Sequence, residues 1–331
     1  MVKFDSYRMR DSRKKEFDCL GFGVCPLDYL SLLKSYPRLD EKIEAKEVSI
    51  QGGGPVPTAM VTLAKLGAKV CFVGKVGDDA EGQKVLENLK KEGVNTDYLI
   101  VDKKSTTAKA FIWIDEKTGK RTVVLDQTKI RPTKKSELLF LDKVKIRFLH
   151  LDFREPEINI FLAKWAKKQK SKVILDMGNQ RGDVEKIFPL VDYLVVSKRF
   201  AYSYTRSDDL FEALNILIKK GFKCVVITAG EEGSVCATPD RIFHKPAFKV
   251  KVKDTTGAGD VFHGAFIFGL LKNWDMGKII EFSNACAALK CTQLGGRAGI
   301  PTFFEVKRFL KCPAFGGTKG EPERSVEKAI S

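Results

Sequence analysis

The chain has 331 residues, of which 44% are hydrophobic, and carries a formal net charge of +16. It has no run of about 18 apolar residues and begins with a charged segment, so we predict neither a membrane span nor a secretory signal and expect a cytoplasmic protein. The positive charge is spread along the chain without interleaved aromatic residues, which argues against nucleic acid and membranes as partners.

Short apolar runs rich in β-branched residues alternate with helical patterns along most of the chain. The predicted strands are 18–22, 70–73, 148–151, 173–175, 193–196 and 225–227. The predicted helices are 58–66, 81–91, 158–168, 208–219 and 260–271. This alternation predicts an α/β fold with a parallel sheet, helices on both faces, and ligands beyond the carboxyl ends of the strands. Asp152 and Asp176, which end two of the runs, are candidates for contacting substrate or metal, or for capping the next helix.

Two stretches break this alternation. Residues 42–50 partly alternate polar and apolar positions, and residues 106–125 have the pattern of a hairpin around a turn at 115–120. Such patterns are typical of a small sheet with one wet face. Because these stretches flank the glycines at 52–54, we expect a lid over a site, with an edge hairpin of the main sheet as the alternative. The predicted units are a large domain (16–41, 52–98 and 127–313), a lid (42–51 and 99–126) and terminal tails (1–15 and 314–331).

The most informative segment is DTTGAGDVFHGAF, residues 254–266, which opens a predicted helix. The small residues Gly257, Ala258 and Gly259 let a ligand approach the backbone, and their amides are unpaired donors at a helix N-terminus. Together with the helix dipole they predict an anion site suited to a phosphoryl group. Asp260, in the same turn, is placed to accept the proton of an attacking hydroxyl. A tight turn in which Asp260 only caps the helix is the alternative.

This segment resembles the C-terminal signature of the ribokinase-like (PfkB) carbohydrate kinases. Further elements match in the right order: the glycines at 52–54, residues 64–68 and 74–82, and TAGEEG at 228–233, which fits T-x-G-x-x-G. The matches extend from about residue 17 to residue 302. The resemblance implies a ribokinase-like doubly wound, mainly parallel sheet with a small β-sheet lid. It also implies ATP-dependent phosphorylation of a hydroxyl on a sugar or sugar derivative.

The resemblance assigns roles to particular residues. Asp260 becomes the catalytic base, and the amides of Gly257, Ala258 and Gly259 become the anion hole. The substrate-binding residues are Asp28, Gly53 and Gly54. The ATP-binding residues are Ser197, Thr228, Gly230, Gly233 and Asn284. A turn or cap role for Asp28, and a helix-surface or cap role for Asn284, are the alternatives.

The resemblance also implies metal ions. Mg²⁺ is expected with ATP, held mainly by phosphates and waters. Many relatives bind a monovalent cation near the anion hole, and Asp254, Thr256 and segment 291–299 match that region. A K⁺ site is therefore expected there.

Two departures set the chain apart from the family pattern. Pro57 stands where an Asn that contacts the sugar usually follows the glycines, and the N-x-x-E element tied to Mg²⁺ reads SKRF at 197–200. They indicate a divergent branch, with a ketohexose derivative or an acidic sugar as a possible acceptor. Lys198 is a candidate for neutralising phosphate charge. The predicted lid residues Lys109 and Arg121 are candidates for contacting an anionic substrate, with exposed strand charges as the alternative, and His263 is expected to be a packing residue.

Other functions stay open at this point. A nucleoside kinase shares the same family fold, and a sugar- or nucleotide-binding regulator without catalysis is favoured only by the altered element at 197–200. The intact turn at 257–260 argues against such a regulator. The strand edges of the predicted lid favour a homodimer formed through it.

Overall fold

The computed structural model describes residues 14–312. Its strands in chain order are β1 (Lys15–Phe22), β2 (Leu27–Leu33), β3 (Glu47–Gly52), β4 (Val70–Val73), β5 (Lys75–Gly77), β6 (Ile100–Asp102), β7 (Lys109–Asp115), β8 (Arg121–Asp126), β9 (Val144–Leu151), β10 (Lys172–Met177), β11 (Tyr193–Ser197), β12 (Cys224–Thr228), β13 (Ser234–Ala237) and β14 (Ile242–Lys245). Its α-helices are α1 (Pro55–Lys65), α2 (Ala80–Lys91), α3 (Pro156–Lys168), α4 (Lys198–Thr205), α5 (Leu210–Ile218), α6 (Ala258–Leu271), α7 (Met276–Lys290) and α8 (Phe303–Lys311). None of these helices is long and apolar enough to cross a membrane.

The large sheet has eight strands in the order β14-β13-β12-β11-β10-β9-β1-β4. The six strands from β12 to β4 are parallel, and they are the six predicted from apolar runs. The hairpin of β13 and β14 adds two antiparallel strands at one edge, which the sequence analysis did not predict. The predicted doubly wound, mainly parallel sheet is therefore confirmed.

Helices cover both faces of this sheet. Alternate strand residues point to opposite faces. Cys19 of β1 belongs to the core cluster that includes residues of α1, α6, α7 and α8, and Leu20 belongs to the one that includes residues of α3, α4 and α5. Because helices exclude water from both faces, the strands are apolar throughout and show no alternation of polar and apolar residues.

The small sheet has four strands in the order β3-β2-β7-β8. The predicted hairpin at 106–125 is the antiparallel pair β7–β8. Residues 27–33, predicted as part of the large domain, form β2, which pairs with β3 and β7. The inner face of this sheet packs Leu30, Leu32 and Ile112 against Leu294, so the small sheet rests on the segment that follows α7.

The loop at 295–297 joins the first turns of two helices of the large domain. Its Gly295 amide donates to the Asp254 carboxylate, at 2.7 Å, just before α6. Its Arg297 guanidinium donates to the Gly53 carbonyl, at 2.7 Å, just before α1. The predicted anion turn and the predicted sugar site are thereby held next to each other.

Candidate active site

The turn that opens α6 leaves backbone donors uncovered. Gly257 is the N-cap with φ 76°, and a Cβ there would come within 2.7 Å of the Gly296 carbonyl oxygen, so this position requires glycine. Within residues 14–312, the amides of Gly257, Gly259 and Asp260 donate to no protein acceptor. A Cβ on Gly259 would meet no atom within 4 Å, so the turn is open to a ligand. The amide of Ala258, predicted as part of the anion hole, instead donates to Thr255 O at 3.2 Å.

Asp260 lies in this turn with its side chain partly exposed. Burial raises the pKa of its carboxyl above the ordinary value, and the charges of nearby His263, Arg121 and Lys290 oppose that rise. No hydrogen bond from another described residue reaches the Asp260 carboxylate in residues 14–312. The group is thus free to receive a proton.

His263 fixes the same turn to the large sheet. Its Nδ1 lies 2.7 Å from Gly259 O, and its Nε2 lies 3.3 Å from Val195 O and 3.6 Å from Asp176 Oδ1. Burial raises the pKa of Asp176 to about 6. His263 is buried, so it packs behind the turn, as predicted.

Asp254 ties the approach to this turn to the segment after α7. Its Oδ1 accepts from Thr256 N and its Oδ2 from Gly295 N, both at 2.7 Å. Its backbone carbonyl accepts from Lys290 Nζ at 2.8 Å. Lys290 was not predicted as a site residue, although a lone lysine in the apolar stretch ACAALKC was a signal for it.

Asp28 is the second residue of β2 and is almost fully buried, with 5% exposure. Its carboxylate lies against Gly53, since a Cβ on that glycine would come within 2.0 Å of Oδ1. Burial raises the pKa of Asp28 to about 7, and the charge of Arg297 opposes the rise. Gly54, with φ 90°, caps α1, where a Cβ would strike Val24 O at 2.2 Å. The predicted substrate residues Asp28, Gly53 and Gly54 are thus brought together.

Arg297 lies beside these residues and was not found from the sequence. It is buried, and besides Gly53 O its guanidinium reaches Thr58 Oγ1 at 3.3 Å through Nε. Its Nη1 is buried without a hydrogen-bond partner among the described residues. Burial lowers the pKa of Arg297 to about 10, with Asp28 opposing. The signal in the sequence was one arginine within the small residues GGRAG.

The predicted nucleotide residues Ser197 and Thr228 end neighbouring strands and stand in register in the β11–β12 ladder. Ser197 Oγ donates to Gly178 O at 2.7 Å and accepts from Phe200 N at 3.0 Å, which caps α4. Gly230 and Gly233 both have positive φ, 61° and 88°. A Cβ on Gly233 would lie 2.2 Å from Lys245 O, so this turn also requires glycine.

Asn284 and Lys198 already have protein partners. Asn284 Nδ2 donates to Lys245 O at 3.1 Å and to Pro246 O at 3.3 Å, while its Oδ1 accepts from Ser234 Oγ. Its amide therefore ties α7 to the β13–β14 edge, and an adenine contact stays a prediction. Lys198 pairs with Glu232 at 2.6 Å.

The small sheet touches the anion turn through the tip of its hairpin. Thr255 donates to Gly119 O through both N, at 3.0 Å, and Oγ1, at 2.9 Å. Arg121 Nη1 lies 3.4 Å from the same Thr255 hydroxyl. Lys109, the other basic candidate on this sheet, pairs with Glu81 at 3.0 Å. Of the two candidates, Arg121 is the one placed at the turn.

A doubly wound sheet with uncovered amides and a carboxylate in the first turn of one helix is an arrangement suited to an anionic ligand. The chain belongs to the pfkB family of carbohydrate kinases, whose family model matches residues 25–303. This membership confirms the resemblance and supports a sugar kinase activity.

The chain is also similar to individual ribokinases. It is 29% identical over 290 residues to the ribokinase of Bacillus subtilis (strain 168), covering 87% of this chain and 97% of the relative. A putative ribokinase from Agrobacterium tumefaciens superposes with a TM-score of 0.78 at 26% identity, covering 89% and 97% of the two chains. A putative Ribokinase II from E. coli in complex with ATP and Mg²⁺ superposes with a TM-score of 0.76 at 18% identity, covering 89% and 99%, and shows the shared fold.

Proposed function

We propose that this protein transfers the γ-phosphoryl group of MgATP to a hydroxyl of a sugar or sugar derivative, with Asp260 as the general base. The observation that carries the proposal is the first turn of α6, where Asp260 and uncovered backbone amides share one turn. Phosphoryl transfer depends mainly on positioning and on stabilising charge, and such a turn supplies both.

The anion hole in this proposal consists of the amides of Gly257, Gly259 and Asp260. The Ala258 amide is left out because it is already bonded to Thr255 O. The helix dipole adds positive potential at the same place. The Asp260 carboxylate accepts the acceptor's hydroxyl proton while the amides hold the phosphoryl oxygens.

The acceptor would lie between Asp260 and the group formed by Asp28, Gly53 and Arg297. A carboxylate can accept hydrogen bonds from two adjacent hydroxyls, which is how Asp28 would orient a sugar. Arg297 Nη1, which lacks a protein partner among the described residues, is a donor available beside them. Pro57 offers no side-chain hydrogen bond, so these groups would replace the family's usual Asn contact.

The nucleotide would lie along the ends of β11 and β12, over Ser197, Thr228 and the glycines at 230 and 233. This placement follows the rule that ligands bind beyond the carboxyl ends of parallel strands. Mg²⁺ would bind the ATP phosphates and supply charge neutralisation there. In line with the SKRF sequence, no carboxylate of residues 197–200 is present to orient it.

We infer that the small sheet serves as the lid of this site. Its hairpin tip is hydrogen-bonded to Thr255, next to the anion turn, and its strand β2 carries Asp28. Closing a lid excludes water from the phosphoryl group and limits ATP hydrolysis.

The test is ADP release from MgATP with a panel of pentoses, hexoses, sugar acids, sugar phosphates and nucleosides, with ³¹P NMR of the product. Turnover on a sugar or sugar derivative, with one new phosphate ester, is the expected result. Turnover restricted to nucleosides would make the protein a nucleoside kinase. ATP binding without turnover on any acceptor would instead favour a regulator.

A further inference from the structure

The last residue of α7, Lys290, is a lysine with no exposed surface. Its ammonium group donates to the backbone carbonyl of Asp254 at 2.8 Å. No carboxylate within residues 14–312 lies within 4.0 Å of it, whereas the other buried lysine there, Lys75, pairs with Glu137 at 2.9 Å. Burying an ammonium without a close counterion costs desolvation free energy, so we expect this lysine to have a specific role.

Lys290 lies beneath the anion turn. Asp254, whose carbonyl it contacts, also holds Thr256 N and Gly295 N through its carboxylate. The backbone after Lys290 returns against it, since a Cβ on Gly299 would come within 2.5 Å of Lys290 O. The ammonium thus sits among the residues for which the sequence predicts a monovalent cation.

Asp254 already uses its oxygens within the protein, which makes it a poor ligand for such a cation. The Asp254 carbonyl is occupied by the ammonium, and both Asp254 carboxylate oxygens are occupied by amides. Thr256 Oγ1 is buried without a partner among the described residues, but it offers one hydroxyl only. A second positive charge beside a buried ammonium would also be repelled, because water does not screen charges there.

We propose that the ammonium of Lys290 takes the place of the monovalent cation and makes the kinase independent of K⁺. Lys290 is a positioning residue, since it holds the segment 254–256 and places a fixed positive charge behind the phosphoryl-binding amides. A lysine ammonium is a compact point charge with three donors, which suits a place against the Asp254 carbonyl oxygen. The part of this proposal that concerns turnover rests on the proposed kinase function.

The wild-type protein gives the first test. ADP release and the melting temperature are measured in KCl, NaCl and choline chloride at one ionic strength, since choline is too large for such a site. We expect the same turnover and the same melting temperature in all three salts. Turnover that rises severalfold with K⁺, or a melting temperature that K⁺ alone raises, would overturn the proposal, because a ligand bound to the folded state stabilises it.

Variants at Lys290 give the second test. In Lys290→Ala, which removes the charge and leaves space, we expect turnover to fall by roughly tenfold or more in choline chloride. Added K⁺ or NH₄⁺ should restore part of it and raise the melting temperature. Lys290→Met, which fills the space without a charge, should lose turnover and not recover. Lys278→Ala, on the exposed side of the same helix, should behave as wild type.

The outcomes separate the two proposals. Folded Lys290→Ala protein that keeps wild-type turnover in choline chloride, or that neither cation restores, would show a merely structural lysine. If the variants do not fold, the wild-type comparison still decides. If no acceptor supports turnover, the kinase function fails, but the melting temperatures of wild type in the three salts still test whether the site takes K⁺.

Discussion

The carboxylate of Asp28 lies directly against the backbone of Gly53, so closely that a Cβ on residue 53 would come within 2.0 Å of Oδ1. The two residues belong to different units, because Asp28 is in β2 of the small sheet and Gly53 precedes α1 of the large domain. The neighbouring pairing of Asp28 with Gln51 of β3 holds them together. In the proposed function, an acceptor at this place would contact the Asp28 carboxylate.

Gly53→Ala should displace Asp28 and lower kcat/KM for the acceptor by about a hundredfold, because a shift of about 1 Å in a positioning group has that effect. The KM for ATP should change little. Gly277→Ala is the matched control, since a Cβ there meets its nearest atom at an ordinary 3.4 Å. A Gly53→Ala enzyme with wild-type kinetics would remove Asp28 from the acceptor site.

Asp28→Asn should change the pH dependence of stability. The native pKa of Asp28 is about 7, whereas an unfolded aspartate has a pKa of about 3.9. Between these values the native state keeps a proton that the unfolded state releases, so this group makes the protein less stable as pH rises. The free energy of unfolding of Asp28→Asn, relative to that of wild type, should therefore increase as pH rises from about 4 to about 7. A difference between the two urea unfolding curves that does not vary with pH would contradict this.

The main sheet and the anion turn were predictable from the sequence because their signals are local. Apolar β-branched runs marked all six parallel strands, and the glycines at 257 and 259 with Asp260 marked the turn. Strand β2 was not predictable in its sheet, because its partners β3 and β7 are distant in the chain and only their pairing assigns it.

Arg154 provides a prediction about the acceptor's charge. It follows β9, its side chain is 22% exposed, and its buried Nε makes no hydrogen bond among the described residues but lies 3.8 Å from Asp152 Oδ2. Neighbouring Asp152 accepts from Val24 N, in the loop that leads to Asp28. Arg181 lies near enough to Arg154 that the two charges repel, which lowers the pKa of Arg181 further than burial alone.

We therefore expect acceptors that carry a carboxylate or phosphate to be preferred over matched neutral sugars. Arg154→Gln should lower kcat/KM for the acidic acceptor about tenfold and leave the neutral one nearly unchanged, since a guanidinium–carboxylate bond is worth about 1.5–3 kcal/mol. Arg206→Gln, at the end of α4, is a control. Equal losses on both acceptors would place Arg154 in a structural role.

The outer face of the small sheet predicts a dimer. It exposes five apolar side chains, each at least 40% accessible: Val48, Ile50, Phe111, Trp113 and Val124. Contiguous apolar surface of this kind marks an interaction site, and a second copy would cover it. Light scattering should give twice the monomer mass.

Trp113→Glu should shift this mass to that of the monomer, because a charge in the centre of the face opposes its burial. Phe304→Glu, at an exposed apolar residue of α8, should leave the mass unchanged. A monomeric mass for wild type across the concentrations used in the assay would refute the dimer.

The burial of Lys290 and Arg297 could not be predicted from the sequence pattern. A charged residue within a glycine-rich or apolar stretch is compatible with exposure or burial, and only tertiary packing decides between them. Here the backbone at Gly299 lies against the end of α7, and the side chains of both residues are buried. The roles of Asn284 and Ala258 depend on such contacts too, since their predicted ligand groups are used within the protein.

The central claim, that Asp260 is the base of a phosphoryl transfer, is tested most directly by comparing Asp260→Asn with wild type on the best acceptor while measuring ATP affinity. The substitution keeps the size of the side chain and the backbone amides, so ATP should bind with an unchanged Kd. Turnover should fall by about 10²–10⁴-fold, the usual contribution of a general base. An Asp260→Asn protein that phosphorylates the acceptor at the wild-type rate would contradict the account.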